Sequence, residues 1–412
     1  SNSDVDISVL DVYKLTEESG DKTYSVDIFE GDNLVFVDEG HKGAKGDTWI
    51  KNREKVIGEE GFSFEYSATF GQALNSIDNE MLQNRYVQSI IFDYSFREFH
   101  EDGFGKNYDI LNLEDEDSTL RNKYLVANLL SFYEQKKYFG ENREVAEEFN
   151  FEDPLWIFVG QTVNATGRDV SKKQKASDVE KVVKFLNRIL EDKNQVIQEI
   201  GEILDGSEFL DPDGKRLFDE RFDYLRNSQL SPEEMYSELL DLIFNSQTES
   251  GLKVVDLKGT EEREIGLKVG SKENYFGLVS IGDPKKFVDR IEENSEITTE
   301  EQEFKRSLFD NINSEDSDVN LLIGAKKFVE GWDSYRVSNM GLMNVGKSEG
   351  SEIIQIFGRG IRLKGYGNSL KRSSQAEVSP NKVPRNIEIL ERLNVFGIEA
   401  DYIKKFEDKL EK

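Results

Sequence analysis

The sequence predicts an α/β protein, because short apolar runs typical of strands alternate along the chain with longer segments of helical periodicity. The run Leu34–Val37 is apolar throughout and ends in polar residues, as a buried strand of an open sheet does. Residues 62–66 alternate aromatic and polar side chains, which predicts a second strand. Residues 179–190 repeat apolar side chains at helical spacing, and residues 252–280 form short apolar runs broken by glycine, as a hairpin does.

One predicted helix carries an amide and two guanidinium groups. Gln355, Arg359 and Arg362 are separated by four and three residues, so a helix would place them on one face. Gly358 and Gly360 each cost a helix about 1 kcal/mol relative to alanine, which predicts close backbone approach or a local break. Arginine donates in a planar fork to phosphate oxygens and stabilises charge during phosphoryl transfer. The segment predicts an arginine finger; two ordinary surface arginines are the alternative.

Two adjacent carboxylates follow the first apolar run, at the strand end where open α/β sheets bind ligands. We expect Asp38 to hold Mg²⁺ through its water shell and Glu39 to orient or deprotonate an attacking water. The hydroxyls of Ser67 and Thr69 follow the second strand and can hydrogen-bond this acidic turn. A plain turn is the alternative interpretation of the carboxylate pair.

These segments, with residues 155–162 and 331–333, resemble motifs II to VI of superfamily-2 helicases of the DEAD/DEAH-like class. The closest likeness is to the helicase subunit of type III restriction enzymes, and it is strongest over residues 320–365. The resemblance implies RecA-like parallel sheets with flanking helices in two lobes, with ATP and Mg²⁺ as cofactors. It also implies that ATP hydrolysis drives movement on nucleic acid, expected to be duplex DNA.

The resemblance carries roles onto individual residues. It implies that Glu39, Asp38, Arg359 and Arg362 are catalytic, with Arg362 as the finger and Asp38 on the metal. Nucleotide binding would involve Asp38, His41, Gly331, Asp333, Gln355, Arg359 and Arg362; Ser67 and Thr69 would couple hydrolysis to movement; and Thr162 and Lys326 would contact nucleic acid.

The chain departs from that family in one respect, since no G-x-x-x-x-G-K-[ST] loop precedes Asp38. We therefore expect a truncated first lobe, with the Walker A loop in sequence outside this chain, and an inactive chain on its own. A literal match to the loop occurs at residues 341–348, after the carboxylate strand instead of before it. Residues 336–340 make a poor strand to precede a phosphate loop, so coincidence is the preferred interpretation.

The motif positions divide the chain into three parts. Residues 1–150 would be the rear part of the first lobe, and residues 151–385 the second lobe with a helical insertion at about 171–245. Residues 386–412 would form a helical tail. Asp153 and Pro154 would mark the joint between the lobes.

Composition narrows the function classes. The chain has no cysteine and two histidines, which excludes a disulfide framework, a thiolate metal site and a histidine-rich metal centre. No apolar run approaches the length of a membrane span, so we expect a cytoplasmic protein without a membrane partner. The net charge of −29 is unusual for a nucleic-acid motor. The segment between Leu321 and Arg372 is an exception, since it contains nine basic residues and only four acidic ones. We expect nucleic-acid contacts in that region.

Several alternatives stay open. Type III restriction endonuclease subunits also carry a nuclease, which would lie beyond residue 412; residues 256–258 and 211–215 are weak nuclease candidates within the chain. A methyltransferase or specificity subunit would be the protein partner. The rival function is a non-catalytic scaffold with relic motifs that binds nucleic acid or docks a partner, and an RNA helicase is a third interpretation.

Overall fold

The computed structural model divides the chain into two compact units, Ser1–Asp93 and Tyr94–Lys412. It describes residues 6–11, 14–16, 23–29, 31–40, 47–68, 80–113, 118–160, 178–206, 218, 221–248, 250–259, 264–271, 273–304, 306–324, 332–343 and 350–398. None of the helices within these ranges is long and apolar enough to cross a membrane.

The first unit contains two small parallel sheets. Strand β1 pairs with β2, and β3 pairs with β4. The elements are β1 (Leu15–Thr16), β2 (Tyr24–Ser25), β3 (Leu34–Val37), α1 (Asp47–Ile57), β4 (Phe62–Glu65) and α2 (Glu80–Ser89). Both strands that the apolar pattern predicts in this unit, β3 and β4, are present.

The prediction that β3 is buried is wrong for one of its faces. Leu34 and Phe36 are 59% and 63% exposed, and their neighbour Phe62 on β4 is 59% exposed. The opposite face carries Glu65, whose carboxylate forms an ion pair with Arg53 of α1. Helix α1 therefore packs against that second face only, and the aromatic face stays open within the described residues.

The second unit is built on one large sheet. Its strands are β5 (Asn107–Leu113), β6 (Leu155–Gly160), β7 (Leu252–Lys258), β8 (Glu264–Val269), β9 (Gly277–Ser280), β10 (Thr298–Glu303), β11 (Leu321–Gly324), β12 (Val337–Met343) and β13 (Arg392–Ile398). Its helices are α3 (Phe96–Glu101), α4 (Ser118–Glu141), α5 (Arg143–Glu148), α6 (Asp178–Glu191), α7 (Lys193–Asp205), α8 (Asp223–Asn227), α9 (Pro232–Phe244), α10 (Pro284–Asn294) and α11 (Gly350–Gly360).

The nine strands follow the order β10-β7-β8-β9-β11-β6-β12-β13-β5. Strand β8 is antiparallel to β7 and β9, whereas every other pair is parallel. The α/β class is thus confirmed, but the sheet is mixed instead of wholly parallel. Strands β11 and β12 are buried along their whole length, because apolar clusters cover both faces of the sheet. The predicted hairpin corresponds to β7 and β8.

Residues near 150 do not separate two units. Strand β5 lies in the same sheet as β13, with Asn107 opposite Arg392, although the sequence placed β5 in the first lobe. Asp153, the expected joint, accepts a bond from Lys136 Nζ at 2.6 Å through its carboxylate. Its main-chain carbonyl accepts a bond from Arg336 Nε at 2.8 Å. These contacts fix Asp153 inside the second unit.

The expected helical tail is a strand where the structure describes it. Residues 392–398 form β13, which pairs with β12 on one side and β5 on the other. Burial explains the difference: Leu393, Val395 and Phe396 are almost wholly buried in the apolar clusters that cover the two faces of the sheet. Residues 399–412 of the predicted tail lie outside the described residues. The segment predicted as a helical insertion carries helices α6 to α9.

Candidate functional site

Helix α11 carries the first of the two arginines that the sequence singles out. Its buried face includes Ile353, Ile356 and Phe357. The Phe357 ring packs edge-on against Phe96 and Tyr108, with ring centroids 5.4 and 5.3 Å away. This aromatic contact fixes the rotation of the helix about its axis, and with it the direction of its partly buried polar side.

The helix ends at Gly360, two residues before the predicted helical position of Arg362. Arg362 lies two residues beyond that end, although its main-chain N–H still donates to the Arg359 carbonyl at 3.3 Å. Gly360 provides the predicted close approach: a Cβ there would lie 2.9 Å from Leu393 Cδ2. Gly358 does not, since a Cβ at that position would meet nothing within 4 Å.

The two predicted motif segments of the second unit meet at this helix end. The Arg359 guanidinium donates to the main-chain carbonyl of Trp332, and the Arg362 guanidinium pairs with the Asp333 carboxylate. These contacts join residues 27 and 29 positions apart. The tryptophan-aspartate segment and the arginine helix, to which the resemblance gives a common nucleotide site, are therefore in direct contact, and the nucleotide-binding role stays a prediction.

The two arginines differ in their availability. Arg359 is bonded to the main chain, which serves to anchor the helix end. The Arg362 side chain is 36% exposed, and the Asp333 carboxylate that holds it is 66% exposed. Exposed ion pairs contribute little stability, on the order of 0–1 kcal/mol, so this pair can separate when another anion arrives. Of the two, Arg362 is better suited to exchange its partner for a phosphate group.

The segment that holds the arginines is itself held from a neighbouring loop. The Asn313 Nδ2 donates to the Asp333 carbonyl at 2.7 Å. Trp332 is 5% exposed, and its ring lies 6.3 Å from that of Phe309 in the same loop. Sequence reasoning missed Asn313, because an asparagine in a polar loop gives no signal of its distant partner.

Two buried basic side chains, Arg336 and Lys106, hold the main chain around the site. Arg336 is 4% exposed and donates to the carbonyls of Ile312 and Val319 as well as to that of Asp153. Burial lowers the pKa of Arg336. Sequence reasoning counted Arg336 only as part of a basic region, and its burial shows a structural use.

Lys106 is the second buried cation, and it connects both motif segments. Its main-chain N–H donates to the Ile361 carbonyl at 2.8 Å, next to Arg362. Its Nζ donates to the carbonyls of Tyr335, at 3.2 Å, and Val337. Burial lowers the pKa of Lys106 to about 7. No sequence motif pointed to this residue, because its partners are main-chain atoms more than 200 positions away.

The carboxylate pair of the first unit forms a tight turn after β3. The Asp38 Oδ1 accepts the Glu39 N–H at 2.9 Å, and Glu39 has a left-handed φ of 51°. The Gly40 N–H donates to the Tyr66 carbonyl at 3.0 Å, which ties the turn to the end of β4 beside Ser67. Asp38 is exposed, so its second carboxylate oxygen suits a hydrated Mg²⁺, which keeps several waters and takes one or two carboxylates.

The remaining predicted residues are distributed as follows. Gln355 and Ser67 are half-buried on α11 and after β4. His41, Thr69, Thr162, Lys326 and Gly331 lie outside the described residues, and their roles stay predictions.

The phosphate-loop match at 341–348 begins inside a strand. Gly341 lies in β12, where a Cβ would come within 2.3 Å of the Phe158 ring. Residues 337–343 are all buried, so the judgement that 336–340 makes a poor strand is wrong. Close packing in the sheet explains the first glycine of the match without any phosphate. Residues 344–349 lie outside the described part of the chain.

The basic region between Leu321 and Arg372 is less available than its charge count suggests. Arg336 is buried, and Arg372 donates to the carbonyls of His100, Phe104 and Gly105. Lys364 pairs with Glu152. These side chains hold the fold together and cannot all serve as nucleic-acid contacts, so the expected basic surface is reduced.

The weak nuclease candidates gain no support from the geometry. Among the residues described, no group of three or more histidine, aspartate or glutamate side chains is placed to hold a metal ion. Asp256 is 9% exposed within β7, and Lys258 pairs with Glu301 of β10. Residues 211–215 lie outside the described part.

Comparison with known proteins adds no identification. No protein-family model matches the sequence, and no curated protein is significantly similar to it.

Proposed function

We propose that this chain is part of an ATP-dependent helicase or translocase that couples ATP hydrolysis to movement on nucleic acid, in a restriction-modification or other defence system. In this proposal the two units correspond to parts of RecA-like lobes, and duplex DNA is the preferred track. The cofactors would be ATP and Mg²⁺. A cytoplasmic location and a methyltransferase or specificity subunit as partner belong to the same proposal.

The observation that carries the proposal is the meeting of Trp332 and Asp333 with Arg359 and Arg362. Residues from two separate motif segments converge on one helix end, where one guanidinium is anchored and the other is half-exposed. Phosphoryl-transfer enzymes use an arginine guanidinium to stabilise charge on a transferring phosphate, and a half-exposed guanidinium with a weakly held counter-ion could take that role. Two ordinary surface arginines would not require a buried tryptophan and a dedicated carboxylate.

Each group would have a separate task. Arg362 would neutralise charge on the terminal phosphate, and Arg359 would keep the helix end in place. In the first unit, taken by itself, Asp38 would hold hydrated Mg²⁺ and Glu39 would orient or deprotonate a water. The main-chain bond from the Gly40 N–H to the Tyr66 carbonyl ties the turn that presents both carboxylates to the end of β4.

Steady-state ATP hydrolysis tests the proposal. The assay compares the 412-residue chain with the product of its complete reading frame. We expect Mg²⁺-dependent turnover, stimulated by duplex DNA, in the complete product. A complete product that hydrolyses no ATP under any of these conditions would refute the proposal.

The Glu39→Gln variant tests the role of the general base. The amide keeps the size of the side chain but cannot take a proton, so nucleotide should still bind while hydrolysis is nearly abolished. Glu54→Gln on α1 is the matched control in the same unit, and its turnover should equal that of the wild type. Rapid hydrolysis by Glu39→Gln would remove that residue from the mechanism.

The rival function is a non-catalytic scaffold that binds nucleic acid or docks a partner protein. One observation favours it: Asp333 already neutralises Arg362. A scaffold would bind DNA or protein equally well with and without ATP. DNA binding that does not change with nucleotide, together with absent hydrolysis in the complete product, would select this alternative.

A further inference from the structure

The loop before β11 contains a residue, Asn313, whose side chain hydrogen-bonds the main chain of Asp333. We propose that Asn313 is a positioning residue that fixes the main chain of Asp333 and thereby holds the Arg362 guanidinium in one orientation. The contacts that carry this inference are independent of ATP. Their use in phosphoryl transfer rests on the proposed function.

The loop that carries Asn313 is anchored by hydrogen bonds at several points. At its start, the Leu308 N–H donates to the Glu264 carboxylate at 2.8 Å. Further along, the Ile312 carbonyl accepts a bond from Arg336, and so does the Val319 carbonyl, at 2.9 Å. Both ends of the loop are thus fastened to buried charged groups of the sheet. A side chain that extends from such a loop can transmit a fixed position to its partner.

Asn313 connects this anchored loop to the Arg362–Asp333 ion pair. Its Nδ2 donates to the Asp333 carbonyl at 2.7 Å, while the Asp333 carboxylate accepts from Arg362. The ion pair is only partly shielded, with the Arg362 and Asp333 side chains 36% and 66% exposed, so it adds little stability of its own. A fixed Asp333 main chain leaves its carboxylate fewer positions, and the Arg362 guanidinium paired with it is then held more closely to one orientation.

The same loop provides a matched control. Asn311 is also exposed, and its Nδ2 also donates to a main-chain carbonyl, that of Ser307, at 3.0 Å. That bond stays within the loop and reaches neither Asp333 nor Arg362. Replacing Asn311 removes the same chemical group from the same loop, without touching the arginine site.

The test measures how fast phenylglyoxal modifies Arg362 in the whole 412-residue chain, without nucleotide, by peptide mass spectrometry. We expect Asn313→Ala to raise that rate about threefold, in line with the loss of one neutral hydrogen bond. Asn313→Asp keeps the size but sets a carboxylate against the carbonyl, so its rate should rise at least as much. Asp333→Asn, which removes the counter-ion, should give the largest rise.

Two controls make the outcome decisive. Asn311→Ala should leave the Arg362 rate unchanged, and Arg372, which is 7% exposed, should react at one slow rate in every variant. Equal Arg362 rates in Asn313→Ala and Asn311→Ala would overturn the inference. A parallel rise at Arg372 would also overturn it, because general loosening of the fold would then explain the result.

Failure of the proposed function gives a different result. If the complete product hydrolyses no ATP but the order of Arg362 rates holds, the positioning role stands and the motor proposal falls. If hydrolysis is found, Asn313→Ala should lower kcat severalfold with little change in KM for ATP, because the mispositioned guanidinium acts on the transition state. Hydrolysis with equal Arg362 rates would remove Asn313 from the site and leave the motor intact.

Discussion

Replacing Arg336 with methionine should destabilise the second unit by about 3–6 kcal/mol. The side chain is 4% exposed and donates to three main-chain carbonyls, those of Asp153, Ile312 and Val319. Methionine fills a similar volume but donates no hydrogen bond, and each buried acceptor left without a donor costs about 1–2 kcal/mol. Native proteins have about 5–15 kcal/mol of stability in total, so the loss is a large fraction of it.

Urea unfolding followed by tryptophan fluorescence measures this loss. With a slope of about 3 kcal/mol per molar, the midpoint should fall by about 1–2 M. Arg97→Met is the control, because that side chain is 55% exposed and its pair with Glu101 is 3.8 Å long. It should shift the stability by less than about 0.5 kcal/mol. A loss below about 1 kcal/mol for Arg336→Met would refute the reasoning that this guanidinium fastens the loop to the sheet.

Further predictions concern two buried ionisable groups and two glycines. Burial raises the pKa of Glu134 to about 7, so the folded chain keeps a proton that the unfolded chain releases, and stability should fall by up to about 3 kcal/mol as pH rises from 4.5 to 7. Glu134→Gln should remove that fall in urea titrations. Burial lowers the pKa of Lys106 to about 7, so the unfolded chain binds the extra proton, and stability should rise by about 2 kcal/mol between pH 7 and 9. Lys106→Met should remove that rise in the same titrations, whatever its effect on overall stability. Gly358→Ala should stabilise by up to about 1 kcal/mol in thermal unfolding, because its Cβ meets nothing within 4 Å, whereas Gly360→Ala should stabilise less or destabilise, because its Cβ would force the terminal methyl groups of Leu393 to shift. Equal effects at the two glycines would contradict the packing argument.

The fold class was predictable because it follows from local patterns. Apolar runs at Leu34–Val37 and Leu155–Gly160 are strands, and the helical period over residues 179–190 lies in α6. The errors arose where tertiary contacts outweigh local pattern. Residues 392–398 have a sequence compatible with helix. They form a strand because they lie between β12 and β5 and pair with both.

The unit boundary was also beyond local pattern. A proline after Asp153 resembles a linker, yet Lys136 and Arg336 bind Asp153 into the sheet from positions far away in the sequence. Such long-range pairs leave no periodic signal. Strand β5 was assigned to the first lobe for the same reason, because its partner β13 lies more than 200 residues later.

The site was predictable in its motifs but not in its supports. Spacing placed Arg359 and Arg362 on one helical face, and only the family resemblance added Asp333. The contacts of the second unit bring Arg362 to Asp333 and Arg359 to the Trp332 carbonyl. Asn313 and Lys106 act on main-chain carbonyls, which every residue has, so the sequence around the acceptor does not reveal them. The structure was needed to find both.

The most direct test of the proposed motor is ATP turnover by Arg362→Ala in the complete product, with duplex DNA and Mg²⁺ present. The account predicts a loss of roughly 10³-fold with little change in nucleotide binding, because the guanidinium would act on charge that develops at the transferring phosphate. Arg97→Ala, the control, should retain wild-type turnover. Unchanged turnover in Arg362→Ala would contradict the account.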